Sequence, residues 1–145
     1  MSSASIKLSA ANKKLDSTIP LTGSKSESNR ALIMQALSDG AVRVDNISEA
    51  ADTVTLNNIL KADKPTKVDI GPAGTAMRFL TAFYSLKESE VLLTGSERMK
   101  QRPIGILVDA LRTLGADIQY EEKEGFPPIK IRGQLQKKTQ AVSIK

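Results

Sequence analysis

The fold of this chain is decided by the stretch LTGSKSESNR at residues 21–30, which runs directly into the apolar residues ALIM at 31–34. A β-type run ends at Leu21, Gly23 supplies a turn, and small hydroxyl residues then open an apolar helix. The first N–H groups of a helix have no partner within it, and the helix dipole places partial positive charge at the same end. The stretch therefore predicts an anion-binding site where strand, loop and helix meet.

Three side chains of this stretch suit an anion. Lys25 and Arg30 each add a positive charge, and an arginine can hold a phosphate through two parallel hydrogen bonds. Ser26 is equally suited to contacting the anion and, like Ser28, to capping the helix, so both roles stay open. The Gly-x-x-x-x-Gly-Lys spacing of nucleotide-binding P-loops is absent, which excludes that class of site.

Composition narrows the available chemistry. The 145 residues include no cysteine and no histidine, which removes thiol chemistry and the commonest general base and metal ligand, so we expect neither a metal nor a cofactor. A net charge of +5 favours anionic partners, but aromatic residues make up only 3% of the chain, which argues against nucleic-acid binding. No apolar run has the length of a membrane span and no signal core opens the chain, so we expect a cytoplasmic protein.

Periodicity and turn residues predict alternating strands and helices around an aliphatic core. The predicted strands lie at residues 6–8, 18–21, 42–44, 67–70, 91–93, 117–121, 129–132 and 141–145. The predicted helices lie at residues 28–37, 52–60, 75–84 and 103–114, with Pro103 in the first turn of the last one and with Gly40 and Gly115 as left-handed caps. The expected fold class is α/β (α+β), closed by a hairpin of the strands at 117–121 and 129–132.

The order of elements occurs twice. The sequence GSKSESNRAL at residues 23–32 aligns with GPAGTAMRFL at residues 71–80, and glycine, arginine and leucine coincide 48 positions apart. In each copy the loop is followed by helix, strand and helix. Repetition at this period indicates stacked supersecondary units, so we predict a repeated β-α-β-α unit whose terminal hairpin is clearest in the second copy.

Three motifs, in this order, resemble those of the EPSP synthase (3-phosphoshikimate 1-carboxyvinyltransferase) family. They are residues 21–30, residues 71–80 and the sequence TGSERMKQRPI at residues 94–104, and the sequences VDALRTLGA at 108–116 and FPP at 126–128 also match. The resemblance covers nearly the whole chain. It implies the enolpyruvyl transferase fold, built from repeated β-α-β-α-β-β units, with about two of the three units of one domain expected here.

The same resemblance implies how the chain is divided. We expect residues 1–19 to be a strand segment that packs in the other domain, residues 20–66 to be the first repeat unit of the N-terminal domain, and residues 67–145 to be the second unit, ending at the start of a third. The chain is then the N-terminal part of a longer enzyme that is a monomer at full length. Because the family's acid and base carboxylates would lie in the missing C-terminal part, we expect the isolated chain to be inactive.

The implied chemistry is transfer of an enolpyruvyl group in the shikimate pathway, which leads to chorismate and the aromatic amino acids. The 5-hydroxyl of shikimate 3-phosphate adds to C2 of phosphoenolpyruvate while C3 is protonated, and phosphate then leaves the tetrahedral intermediate. Both substrates are strongly anionic and repel each other, so cationic side chains must bind them and stabilise the developing charge.

The matching motifs carry the family's substrate contacts onto six residues of this chain. Lys25 is expected to touch both substrates and to be catalytic together with Arg102. Arg102 is expected to grip phosphoenolpyruvate and to face the loop at residues 71–75. The remaining contacts are Ser26 and Arg30 with shikimate 3-phosphate, and Gly74 and Thr75 with phosphoenolpyruvate.

Other polar residues near the motifs are expected to be structural. Arg78 has the position of Arg30 in the second copy and is expected to pack at its own helix start. Arg98 and Lys100 are expected to be solvated, and Asp52 is expected to cap a helix.

Three residues depart from the family's usual pattern. Thr22 stands where proline is frequent. Pro72 stands where asparagine is frequent, which removes a polar side chain from the expected phosphoenolpyruvate site. Phe79 stands where proline is frequent, which affects the start of the second copy's first helix.

Two other functions stay open from the sequence. The related UDP-N-acetylglucosamine enolpyruvyl transferase has a similar architecture, but it lacks the Ser-x-Ser-Asn-Arg string after the lysine and usually supplies a cysteine in the stretch corresponding to residues 94–102. The second alternative is a non-enzymatic phosphate- or RNA-binding module built from the same unit. A salt-dependent nucleic-acid titration separates such a module from an enzyme.

Overall fold

The computed structural model describes residues 5–7, 9, 14 and 16–133, and its helices and strands lie between Lys25 and Arg132. The helices are α1 (Lys25–Leu37), α2 (Ala51–Lys61), α3 (Gly74–Leu86), α4 (Glu97–Lys100) and α5 (Gly105–Leu114). The strands are β1 (Lys67–Asp69), β2 (Glu90–Thr94), β3 (Asp117–Tyr120) and β4 (Ile129–Arg132). The mixed α/β class expected from the sequence is confirmed.

The four strands form one sheet in the order β1-β2-β4-β3. β1 runs parallel to β2, with Val68 opposite Leu93, and β4 runs antiparallel to both β2 and β3. Ile131 lies opposite Val91 on one side and Ile118 on the other, so apolar side chains of neighbouring strands share one face. Helix α3 connects β1 to β2, as a parallel pair requires a crossover between its strands.

The core lies between this sheet and two helices of the second copy. Contacts join α3 to β2, β4 and α5, and α5 to β3, while α1 packs on both α2 and α3. Leu80 of α3 and Val108 of α5 are fully buried, as are Leu93 and Ile129 of the sheet. Each such aliphatic side chain contributes about 1.5–3 kcal/mol on burial. The core is aliphatic, as the composition predicts.

The outer face of the sheet is polar. The carboxylate of Glu90 lies 2.6 Å from Lys130 Nζ and 3.0 Å from Arg132 Nε, and Arg132 Nη1 lies 3.7 Å from Asp117. Hydrogen bonds from Lys130 and Arg132 lower the pKa of Glu90. These ion pairs are open to solvent, so each contributes little to stability.

The β-α-β-α-β-β unit is confirmed for the second copy by the succession β1, α3, β2, α5, β3 and β4. The first copy forms its helices α1 and α2, but the strands predicted at 18–21 and 42–44 are wrong, because both segments lack regular structure. A strand is stabilised by its neighbours in a sheet, and the sheet in the described part of the chain pairs with neither segment. Ile19 and Leu21 are accordingly 74% and 83% exposed.

Several helix boundaries differ from the prediction. α1 begins at Lys25 rather than at residue 28, and α5 begins at Gly105, so Pro103 precedes the helix instead of lying in its first turn. The short helix α4, capped by Ser96, is absent from the predicted elements. Gly115 is the left-handed C-cap of α5, with φ 109°, as predicted.

The end of α1 is only partly as predicted. Gly40 has a positive φ of 92°, but the C-cap is Ser38, and Asp39 also has a positive φ, of 47°. The strand predicted at residues 6–8 lies partly outside the described residues, and the one at 141–145 lies wholly outside them. No helix in the described ranges is long and apolar enough to cross a membrane.

Candidate anion-binding site

The first predicted site lies in the first turns of α1, where Ser24 is the N-cap. The Ser24 hydroxyl accepts a long hydrogen bond, 3.5 Å, from the N–H of Glu27, in the serine-x-x-glutamate spacing of a capping box. The prediction that Ser26 or Ser28 caps the helix is therefore wrong. Ser28 is buried and accepts from the N–H of Ser48 at 3.0 Å. Ser26 is exposed, and its hydroxyl is not occupied by capping.

The Lys25 ammonium is held by a carboxylate of the neighbouring helix. Its Nζ lies 3.3 Å from Oδ2 of Asp52, which is in the first turn of α2. The expectation that Asp52 caps α2 is wrong, because the N-cap is Ala50 and no side chain caps this helix. The two side chains of the ion pair are 53% and 29% exposed, so a competing anion can reach the lysine.

Arg30 links the two copies of the repeat. Its Nη1 donates to the carbonyl oxygen of Ser26 at 2.8 Å, one turn back along α1. Its guanidinium carbon lies 6.0 Å from the centre of the Phe79 ring of α3, at the outer limit of a cation–π contact. Most of the five N–H donors of an arginine remain free in this arrangement. Phe79, a departure from the family pattern, therefore packs beside the first predicted site.

The second predicted site lies at the start of α3. Its N-cap is Ala73, and no side chain accepts a hydrogen bond from the first N–H groups. Gly74 and Thr75 are the first two residues of the helix. Their N–H groups precede the first intrahelical bond, so this end of α3 offers uncapped donors to an anion.

Arg102 lies directly over this helix start. A Cβ atom added to Gly74 would lie 2.3 Å from Nη1 and 2.8 Å from Cζ of Arg102, so the close approach requires glycine. The N–H of Ser96 donates to the carbonyl oxygen of Gly71 at 3.0 Å, which ties the loop before α3 to the segment before Arg102. Within the described residues, the Arg102 guanidinium has no hydrogen-bond or ion-pair partner. It is therefore available to an anion.

A cavity of about 420 Å³ opens beside this arginine. It is lined by Pro72, Ser96, Arg98, Met99 and Arg102. Arg98 is exposed, as expected for a solvated residue, but it also borders the cavity, so two arginines line the same space. Lys100 is instead held by Glu97 at 3.2 Å and Glu122 at 3.3 Å, and these partners raise its pKa.

The structure thus groups the predicted site residues into two clusters. The α1 cluster contains Lys25, Ser26 and Arg30, and the α3 cluster contains Gly74, Thr75 and Arg102. The two clusters adjoin because α1 packs on α3. The sequence analysis missed the contact of Asp52 with Lys25 and the place of Arg98 at the cavity. No local signal in the sequence indicates either one.

The titratable groups around the two clusters include the carboxylate of Asp52, which is paired with Lys25, and that of Asp69, which accepts from the N–H of Gly71 at 2.8 Å. Burial raises the pKa of Tyr84 to about 12, and it also raises the pKa of Tyr120. Both tyrosines are therefore protonated at neutral pH. Across the described ranges, no group of three or more aspartate or glutamate side chains could hold a metal ion. The arrangement is suited to binding anions and stabilising negative charge.

Comparisons with known proteins agree on one family. The family model described as EPSP synthase (3-phosphoshikimate 1-carboxyvinyltransferase) matches residues 9–64 and 61–145. A 3-phosphoshikimate 1-carboxyvinyltransferase of Bacteroides fragilis (strain YCH46) is 50% identical over 126 residues, which cover 87% of this chain and 30% of the relative. Its counterpart in Yersinia pestis bv. Antiqua (strain Angola) is 40% identical over an alignment of 144 residues, which covers 82% of this chain and 34% of the relative.

A solved structure shares the fold. The structure of EPSP synthase from Acinetobacter baumannii matches with a TM-score of 0.61 at 24% sequence identity, over 87% of this chain and 34% of that chain. This chain therefore spans about a third of the length of the curated relatives and of the solved structure that it matches.

Proposed function

Because this chain belongs to the EPSP synthase family, we propose that it supplies part of the active site of a 3-phosphoshikimate 1-carboxyvinyltransferase. The 5-hydroxyl of shikimate 3-phosphate adds to C2 of phosphoenolpyruvate, C3 is protonated, and phosphate leaves the tetrahedral intermediate. The acid and base for these steps come from the rest of the enzyme. The residues of this chain bind the two anions and stabilise the charge that develops between them.

The observation that carries this proposal is the position of Arg102. Its guanidinium is unpaired among the described residues and lies over Gly74, at a helix start that no side chain caps. A planar guanidinium beside a helix start with uncapped backbone N–H groups suits the carboxylate or phosphate of phosphoenolpyruvate. Thr75, the next residue of the helix, supplies a further N–H and an exposed hydroxyl.

The α1 cluster is the proposed site of shikimate 3-phosphate. Arg30 and Ser26 bind its phosphate and hydroxyl groups, for which the exposed serine hydroxyl and the free guanidinium N–H groups are suited. Lys25 contacts both substrates and, with Arg102, serves catalysis by offsetting their mutual repulsion. When the substrates bind, the ammonium of Lys25 leaves its partly exposed ion pair with Asp52 and contacts the substrates instead.

The proposal also covers the oligomeric state, the location and the further partners of the full-length enzyme. We propose that the full-length enzyme is a cytoplasmic monomer, and that it works without metal, cofactor, membrane or nucleic acid. Within these 145 residues, the absence of histidine and cysteine removes the commonest metal ligands, and the 3% aromatic content disfavours nucleic-acid binding. In that enzyme, residues 1–19 pack in the other domain, while residues 20–66 and 67–145 belong to successive repeat units.

An exchange of Arg102 tests the proposed function. ³¹P NMR titration of the chain with phosphoenolpyruvate should show weak binding, on the order of millimolar. Arg102→Lys keeps the charge but loses the planar fork, so it should weaken this binding about tenfold while binding of shikimate 3-phosphate is unchanged. Circular dichroism serves as the control for folding. Equal binding of phosphoenolpyruvate by both proteins would return Arg102 to the class of ordinary surface arginines.

A phosphate-release assay with both substrates is the companion measurement. We expect these 145 residues to bind without turnover, because in this proposal the acid and the base come from the rest of the enzyme. Robust release of phosphate by the purified chain would refute the proposed division of the active site.

A further inference from the structure

We propose that Arg78 is a positioning residue that holds Arg102 over the start of α3. This inference rests on the proposed function, because it assigns the geometry of the phosphoenolpyruvate site to a side chain outside that site. Arg78 Nη1 donates to the carbonyl oxygen of Gly74 at 3.2 Å, and its Nη2 donates to the carbonyl oxygen of Pro103 at 3.3 Å. One guanidinium thereby bridges the first residue of α3 and the residue next to Arg102.

The bridge completes the anchoring of the backbone around Arg102. On one side, the N–H of Arg102 donates to the carbonyl oxygen of Met99 at 3.0 Å. On the other side, the N–H of Ile104 donates to the carbonyl oxygen of Gly125 at 2.9 Å. Of these three bonds, the one from Arg78 to Pro103 ties this segment to α3 itself. It adds to the bond from Ser96 to Gly71 in fixing the separation between Arg102 and Gly74.

Comparison with Arg30, the equivalent arginine of the first copy, shows that the bond from Arg78 to Pro103 is not a general feature of the repeat. Arg30 also donates to the carbonyl oxygen four residues back, that of Ser26, but its guanidinium then faces the ring of Phe79. The bond to the preceding turn therefore belongs to the repeat, and the bond to Pro103 belongs to the second copy alone. Arg78 is exposed, so its burial contributes little to the core.

Only an arginine fits this bridge. Its planar fork sends two N–H groups toward two carbonyl oxygens at once, whereas the ammonium of a lysine is a compact charge on a flexible stem. Both observed bonds end on backbone oxygens, so Arg78 orders the site without occupying it. Loss of the bridge should leave Arg102 unpaired but more mobile. Binding of phosphoenolpyruvate would then have to order the Arg102 side chain, and this entropic cost should weaken the affinity.

The test compares Arg78→Lys with a matched control, Arg112→Lys, in the whole 145-residue chain. Arg112 also donates to a backbone carbonyl, that of Ile118, through Nε at 2.9 Å and Nη2 at 2.7 Å, but its bonds join α5 to β3. The readouts are affinity for phosphoenolpyruvate, affinity for shikimate 3-phosphate and the NMR signal of the Arg102 side-chain Nε–H. Circular dichroism monitors folding.

For Arg78→Lys we expect about fivefold weaker binding of phosphoenolpyruvate, unchanged binding of shikimate 3-phosphate, and a shifted, narrower Arg102 signal that reports greater mobility. For Arg112→Lys we expect both affinities and the Arg102 signal to match the parent chain. If Arg78→Lys binds phosphoenolpyruvate like the parent, or loses both substrates equally, the positioning role is overturned.

Failure of the proposed function has a different signature. In that case phosphoenolpyruvate binds to the parent chain no better than to Arg102→Ala, and the inference about Arg78 falls with it. If Arg78→Lys does not fold, Arg78→Gln replaces it, since its amide can still donate to one of the two carbonyls. An Arg102 signal unchanged in a folded Arg78 variant overturns the inference without any ligand.

Discussion

The two copies of the repeat begin with the same elements but differ in the side chains at the start of the first helix. Each has a glycine loop followed by a 13-residue helix, and in each helix an arginine donates to the carbonyl oxygen four residues back. The first copy carries its own cation, Lys25, and closes its helix start with Ser24. At the position of Lys25 the second copy has Ala73, leaves its helix start uncapped, and receives Arg102 from a later segment.

This difference shows how one scaffold can serve two anions. The first copy has Lys25 at a helix start capped by Ser24, whereas the second combines an uncapped helix start with the guanidinium of Arg102. The second copy therefore suits a ligand that approaches the backbone closely, such as phosphoenolpyruvate. The first copy suits a ligand held by longer side chains, such as shikimate 3-phosphate.

The largest effect should come from Gly74→Ala. The new Cβ would lie 2.3 Å from Nη1 of Arg102, a flexible side-chain end, so the guanidinium should move and the fold should persist. We expect binding of phosphoenolpyruvate to fall by more than about tenfold, since hydrogen bonds to charged groups contribute roughly 1.5–3 kcal/mol each. ³¹P NMR titration measures the loss.

Gly23→Ala is the control from the first copy. Its Cβ would lie 2.1 Å from the backbone oxygen of Asn46, which cannot turn aside. This variant should lose about 1–3 kcal/mol of stability in urea denaturation, the usual cost of overpacking. If Gly74→Ala were the less stable variant of the two and kept its ligand, the difference between the copies would be disproved.

The next effect concerns Arg30→Ala in the first copy. Removal of its guanidinium should weaken binding of shikimate 3-phosphate about tenfold and leave phosphoenolpyruvate unaffected, because one charge-assisted contact is lost. Titration of the chain with each ligand in turn measures both affinities. An equal loss for both ligands would show that the two clusters do not divide the substrates.

A smaller effect of opposite sign is expected for Asp52→Asn. The ion pair of Asp52 with Lys25 is partly exposed, so it contributes about 0.2–1 kcal/mol and competes with the substrate for the ammonium. Its removal should tighten binding of shikimate 3-phosphate about two- to threefold at low salt, and less at high salt. Weaker binding would instead mean that Asp52 orients Lys25 for the ligand.

The smallest effect concerns the sheet, which in the described residues belongs to the second copy. Lys130 and Arg132 lower the pKa of Glu90, so the ionised carboxylate stabilises the fold at pH values above its ordinary pKa of 4.5. This contribution disappears as the pH falls through the lowered pKa. Glu90→Gln should therefore flatten the acid limb of a plot of stability against pH and leave anion binding unchanged. Denaturant titrations across that range provide the measurement.

The sequence predicts the second copy well because its signals are local. Its strands and helices are marked by periodic apolar residues and by a turn at Gly115, and all its paired strands lie between Lys67 and Arg132. The strands predicted at 18–21 and 42–44 depend on partners that no local pattern specifies. Their apolar residues have the same periodicity as true strands, so periodicity alone cannot separate the two cases.

The candidate site divides in the same way. The residues at each helix start follow from turn chemistry and from the family motifs, but the contact of Lys25 with Asp52 joins residues 27 positions apart. The placement of Arg102 over Gly74 likewise joins residues 28 positions apart in the sequence. The capping residue was predicted wrongly because α1 begins a few residues earlier than expected, so that Ser24 rather than Ser26 is the N-cap.

The most direct test maps phosphoenolpyruvate on the chain by protein-observed NMR. We predict that the largest shifts occur at the N–H groups of Gly74 and Thr75 and at the side-chain Nε–H of Arg102. Within the α1 cluster, we predict shifts at Lys25 but not at Arg30. Shikimate 3-phosphate should give the complementary pattern, centred on Ser26 and Arg30. Shifts from phosphoenolpyruvate that are absent from the start of α3, or equal in the two clusters, would contradict the claim that the two helix starts bind different anions.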